Sequence, residues 1–200
     1  MTLLHFPRAV QSAVAALWAI DEAMGAAIAG ASQPALAGIK LAWWREALAR
    51  LDTDPAPPEP RLRAVADTLL PLGISGHDVA AIEQGWAALI QERQDPELVA
   101  RRGQSLFAIE ARLVGSTIDL PDAAGALFAL SDAMRRGIAD FSAARDAALA
   151  SLRRYRTPVR LRPVTLAARL AARDLAEPEG TPGRALALLA HRLTGKINAA

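Results

Sequence analysis

Apolar residues recur at three- and four-residue steps along most of the chain, and one segment carries this pattern twice. Between residues 38 and 51, Leu41, Trp44, Leu48 and Leu51 form one helical stripe, and Leu36, Ile39, Trp43 and Ala47 form a second beside it. Two wide apolar faces predict a helix with packing partners on more than one side. Before it, residues 10–29 read as a helix with Val14, Leu17, Trp18, Met24 and Ile28 inward, closed by Gly30 and Pro34. After it, the proline-rich stretch 52–60 reads as a surface loop.

Helix is expected again over 61–70 and 79–93, the second capped from Ser75–Asp78 and turning Ile82, Trp86, Leu89 and Ile90 inward. Asp95-Pro96 starts another helix, expected to break near Gly103 and run on to Gly115. Residues 123–152 read as one long helix or two short ones. A basic loop follows at 153–163, then helices over 164–175 and 184–197, the last with Leu186, Leu189, Leu193 and Ile197 in register. Nothing alternates like a strand, and no repeat recurs at a fixed period. The expected fold is all-α, a single-domain helical bundle over 1–200.

Composition narrows the chemistry. Hydrophobic residues make up 52% with few aromatics, so the core is built largely from Ala, Leu, Val and Ile. A formal charge of +2 is nearly neutral, and no nucleic-acid partner is expected. Without cysteine there is no disulfide framework and no thiol nucleophile. The N-terminus lacks the charged and apolar regions of a signal peptide, and a cytoplasmic protein is expected. The apolar run 9–31 has Asp21 and Glu22 near its middle, where each costs about 2.5–3.5 kcal/mol in a bilayer, so a core helix is the better reading.

The string Ile39-Lys40-Leu41-Ala42-Trp43-Trp44-Arg45-Glu46-Ala47-Leu48 resembles the Arg-Leu-x-Trp-Trp-Arg-Asp/Glu-x-Leu segment of the squalene/phytoene synthase family. The plain alternative is core packing with a surface Glu46–Arg50 pair. Residues 17–29 occupy the place of the family's first Asp-rich helix, and residues 125–140 that of its second; the C-terminal Leu-Ala-Leu-Leu-Ala-His-Arg-Leu-Thr-Gly-Lys-Ile resembles the ends of short bacterial members. The resemblance implies an isoprenoid-synthase-type bundle in which aspartates four apart on two facing helices hold Mg²⁺ against a prenyl diphosphate.

This sequence departs from that pattern where the chemistry lies. Gly25, Ala26 and Ala29 stand where the first motif has aspartates, and Glu22 stands where it has arginine. Asp21 and Glu22 point about 100° apart on a helix, a poor chelating pair. In the second motif Arg136 replaces an aspartate, leaving Asp132, Arg136 and Asp140 at successive four-residue steps, a register in which a guanidinium bridges two carboxylates in place of Mg²⁺. No two acids anywhere are four apart; Glu92/Asp95, Asp119/Asp122 and Asp174/Glu177 are three apart, each beside a proline or turn. His5, His77 and His191 share no metal-ligand spacing, and no phosphate-binding glycine motif occurs.

The resemblance is greatest to a degenerate branch that includes mitochondrial complex I assembly factors. The leading expectation is therefore a non-catalytic binding or assembly protein with no cofactor, taking a prenyl lipid, a prenyl diphosphate or a protein partner. The rival is an active prenyltransferase using Mg²⁺, with Asp21, Glu22 and Asp140 as its ligands. The loop from Arg153 to Arg162 offers a peripheral membrane contact or, as a third class, a nucleic-acid surface.

Overall fold

Helix starts are fixed by side chains that satisfy the first free amides. Ser75 and Asp78 form a reciprocal capping box, the Glu59 carboxylate accepts from the Leu62 amide at 2.8 Å, and that of Asp95 accepts from Glu97 at 2.8 Å. Pro34, Pro60 and Pro96 occupy first helical positions, where a missing N–H costs nothing. The computed structural model describes residues 3–31, 33–174 and 183–197. They form α1 (Gln11–Ala29), α2 (Pro34–Arg50), α3 (Pro60–Thr68), α4 (Gly76–Ala80), α5 (Glu83–Ala88), α6 (Pro96–Leu113), α7 (Asp122–Arg135), α8 (Ser142–Ser151), α9 (Leu166–Arg173) and α10 (Gly183–Thr194). Among the described residues the one β contact is an isolated bridge between Arg156 and Lys196. The fold is all-α.

α6 is the central rod. It lies along α7 on one side and against α5 and α4 on the other, while α1 closes the bundle across α2, α3, α5 and α6. One contiguous buried cluster runs from Phe6 to Ile197. Residues Arg8–Ala29 are long and apolar enough to cross a membrane by length and composition, yet half of the window is buried against the other helices.

Gly103 and Gly125 explain how closely α6 and α7 approach. A Cβ on Gly103 would stand 2.0 Å from the Gly125 carbonyl oxygen, and one on Gly125 would stand 2.4 Å from the Gln104 amide. α6 therefore runs unbroken through Gly103, where an interruption was expected: the glycine serves a close crossing and not a break. Gly103→Ala is expected to cost at least about 1–3 kcal/mol, because backbone cannot yield as a side chain can. A urea midpoint unchanged from wild type would rule out this crossing.

Several faces differ from the sequence reading. Of the two stripes on α2, only Leu41, Trp44, Leu48 and Leu51 are buried; Leu36, Ile39 and Trp43 are exposed, so this helix lies on the rim. The expected helix over 79–93 is two short ones, α4 and α5, whereas 123–152 follows the second of its two readings, two helices divided at Gly137, whose φ is +69°. The last helix ends at Thr194, with Leu186, Leu189 and Leu193 outward and Ala187 and His191 inward. Leu175, the expected end of the preceding helix, lies outside the described residues, as does Glu177 of the Asp174/Glu177 pair. The 52–60 stretch is a loop as far as Glu59, and Asp52 at its start accepts from the Gly76 and His77 amides.

Candidate functional site

The centre of the bundle holds a charge network that hydrophobic burial alone would not produce. Arg102 of α6 is fully buried. Its Nε and Nη2 donate to the two oxygens of Asp21 on α1 at 2.7 and 2.6 Å, a bidentate pairing. Trp86 of α5 donates its indole N–H to Asp21 Oδ1 at 2.9 Å, and its ring lies 3.8 Å beneath the Arg102 guanidinium. The third nitrogen, Nη1, is 2.9 Å from Asp132 Oδ2 on α7, an ion contact out of line for a hydrogen bond.

Asp132 is shared further. Arg136 donates its Nε to Asp132 Oδ2 at 3.0 Å and its Nη2 to Glu22 on α1 at 2.8 Å, while Arg135 also pairs with Asp132. Burial pushes the Asp132 carboxyl up, but Arg102, Arg136 and Arg135 outweigh it and hold the group below its usual value. Burial disfavours the Arg102 charge, and Asp21 and Asp132 more than restore it. Three carboxylates and three guanidiniums thus balance, which is what makes so much buried charge tolerable.

Gly25 makes room for the network. A Cβ there would lie 2.8 Å from the Trp86 ring and 2.9 Å from Arg136 Nη1. The absence of a side chain at Gly25 therefore has a steric reason.

Beside the network, two adjoining cavities of about 540 and 430 Å³ share Phe128, Ala167 and Leu170. The first has Asp132, Asp174, Arg135, Arg145 and Arg184 in its walls. The second is apolar, walled by Phe6, Val14 and Trp18, with Glu22 at its edge. Together they form a trough between α1, α7 and α9, with arginines and aspartates at one end, where Arg145 of α8 and Arg184 of α10 join the wall, and apolar at the other, in the size range of small-molecule sites.

Trp18 separates this trough from one more buried acid. Its indole N–H donates to Glu110 Oε1 at 2.7 Å, and its ring meets Phe128 edge to face at 5.2 Å between centroids. Glu110 is 1% exposed, and burial pushes its carboxyl up to about 8, only partly offset by the Trp18 bond. The group is therefore mostly protonated at pH 7 and screened from the trough by an aromatic ring.

The structure brings Asp21, Glu22, Asp132 and Arg136 together and leaves the other candidates apart. The bridge expected from Arg136 exists, but its second carboxylate is Glu22. Asp140 lies beyond the end of α7 after the Gly137 turn, where its carboxylate is taken by the Ser142 amide and hydroxyl at 2.9 and 2.5 Å. Trp43 is exposed and meets Trp44 edge to face at 4.9 Å; Arg45 contacts Glu46 at 3.9 Å and Glu83 at 3.8 Å, in place of the expected Glu46–Arg50 pair. That helix packs on α1, which carries Asp21, and on α5, where Glu83 lies one turn before Trp86.

Arg102 and Glu110 were not among the sequence candidates, though a signal existed: both fall in register with Val99, Leu106, Ile109 and Leu113 on the apolar stripe of α6. His191 is buried between Thr165 Oγ1 at 2.9 Å and the Lys196 carbonyl at 2.8 Å, and His77 pairs with Asp52 at 2.6 Å. Among the described residues no three His, Asp or Glu side chains converge as metal ligands. No family model, curated protein or solved structure matches the chain.

Proposed function

We propose that this chain is a non-catalytic, squalene/phytoene synthase-like binding protein. It would hold a prenyl lipid or prenyl diphosphate in the trough between α1, α7 and α9. One observation carries the reading: Asp21 and Asp132, the buried acids of the two helices that stand in the place of the Asp-rich motifs, are joined through Arg102. Asp21 has both oxygens occupied, and Asp132 faces three guanidiniums. A cation would have to displace a buried arginine to reach them, and Mg²⁺ gives up its water only for a near-octahedral set of free oxygens. The trough keeps what an anionic amphiphile needs, an apolar length with arginines at one end. Assembly of a partner protein and a cytoplasmic location are compatible with the same reading.

Incubation with farnesyl and geranylgeranyl diphosphates, with and without Mg²⁺, tests the reading. The expected result is saturable quenching of tryptophan fluorescence, since Trp18 lines the apolar end, and no release of pyrophosphate. Mg²⁺-dependent release that Asp132→Asn abolishes would establish the prenyltransferase instead.

A further inference from the structure

The last helix presents its leucines to solvent. Leu186, Leu189 and Leu193 are 69%, 53% and 69% exposed, whereas Ala187 and His191 face the bundle. The basic loop is tied to the end of this helix. Arg162 donates to the carbonyls of Arg192 and Leu193 at 2.7 and 3.1 Å, and the Thr157 amide donates to the Gly195 carbonyl at 2.9 Å. This fixes Val159, 73% exposed, near the same helix end.

Charge distinguishes this face from the other exposed apolar positions. Residues 147–173 and 183–197 contain ten Arg and Lys and no Asp or Glu, although the whole chain is only +2. Arg153, Arg154, Arg156, Arg160, Arg192 and Lys196 are exposed, and none is ion-paired among the described residues. At the end of α10 a depression of about 630 Å³ is walled by Arg153, Arg156, Lys196, Asp146, which is paired with Arg145, and Tyr155, whose hydroxyl is buried without a hydrogen-bond partner.

We propose that α10 and the 153–162 loop form a docking face for an anionic lipid bilayer. The leucines enter the acyl boundary, and the unpaired arginines meet lipid phosphates. An exposed leucine row alone would suit any apolar partner. Its union with a strip in which exposed cations without ion-pair partners predominate selects a negatively charged, laterally adaptable surface, because each element adds binding energy only where phosphate and hydrocarbon lie within a few ångströms of each other. The exposed leucines and the 153–162 loop do not line the trough, which meets α10 at Arg184.

The test is flotation of the full chain with phosphatidylcholine vesicles, alone or mixed with phosphatidylglycerol. Binding is expected to the mixed vesicles only and to weaken as salt is raised. Changing Leu186, Leu189 and Leu193 together to Ser should weaken it about a hundredfold. Changing Arg153, Arg156 and Lys196 together to Gln should act to a similar extent. All six side chains are exposed, so thermal unfolding should not move in either variant, which separates lost docking from lost folding. Equal binding to neutral vesicles, or binding unaffected by the leucine variant, would overturn the proposal. So would absence of vesicle binding together with tight binding to duplex DNA, or with a dimer that the leucine variant dissociates.

Discussion

Replacing Arg102 by Met is expected to cost about 3–5 kcal/mol of stability, because it leaves Asp21 and Asp132 buried without their shared counter-charge. Most of that cost belongs to the abandoned carboxylates. Adding Asp21→Asn and Asp132→Asn to the Arg102→Met chain should therefore recover much of the loss, although each removes another native interaction. Urea unfolding of the single and triple variants reads this directly. Arg102→Lys should fall between them, since an ammonium keeps the charge but cannot match both oxygens of Asp21 and reach Asp132 as well. A single variant within about 1 kcal/mol of wild type would mean that the network behaves as a surface pair.

This expectation also bears on function. On the proposed reading, Arg102 supplies as a permanent charge what a bound cation would supply as a removable one. The site then no longer depends on a dissolved cation and cannot use one to draw off a leaving group. Glu22, with its side chain 69% exposed, is the outermost member of the network. It contributes little to the burden of buried charge, so the essential triad is Asp21, Arg102 and Asp132.

What the sequence could disclose depended on whether a residue's role was local. Ser75, Asp78, Asp95 and Pro96 act within one turn, and their effects were read correctly. The inner stripe of α2 was also legible, because its spacing alone fixes a face. Which face meets a neighbour is not a local property, and there the reading failed twice. Leu36, Ile39 and Trp43 repeat as regularly as Leu41 and Trp44, and the leucines of α10 repeat as regularly as any core stripe. The bundle buries the Ala187 and His191 side instead, since His191 finds both of its hydrogen bonds there.

The network shows the same division. Asp21, Glu22, Asp132 and Arg136 were singled out by resemblance, but Arg102 follows Arg101 in a run that looks like solvated surface. Only its register with Val99 and Leu106 marks it as inward, and a charged residue on an apolar stripe becomes credible only once its partners are known to face it. Asp140 failed for a simpler reason: the four-residue step from Arg136 presumes a continuous helix, and Gly137 ends it.

Glu110→Gln is expected to stabilise the protein by about 3 kcal/mol at pH 7 and to flatten its pH dependence. The Glu110 carboxyl titrates near 8 in the fold against 4.5 when exposed. Between those values the folded chain holds a proton that the unfolded chain has released. The folded pKa is the raised one, so this contribution is full below pH 4.5. It declines by about 1.4 kcal/mol per pH unit as pH rises toward 8, and is lost above that. Gln keeps the oxygen that accepts the Trp18 indole N–H and carries no charge at any pH, so it removes the decline without emptying the site. Thermal unfolding at pH 5, 7 and 9, followed by tryptophan emission, should show the two proteins close at pH 5 and increasingly separated as pH rises. A parallel decline in both would assign the carboxyl an ordinary pKa and place it in contact with water.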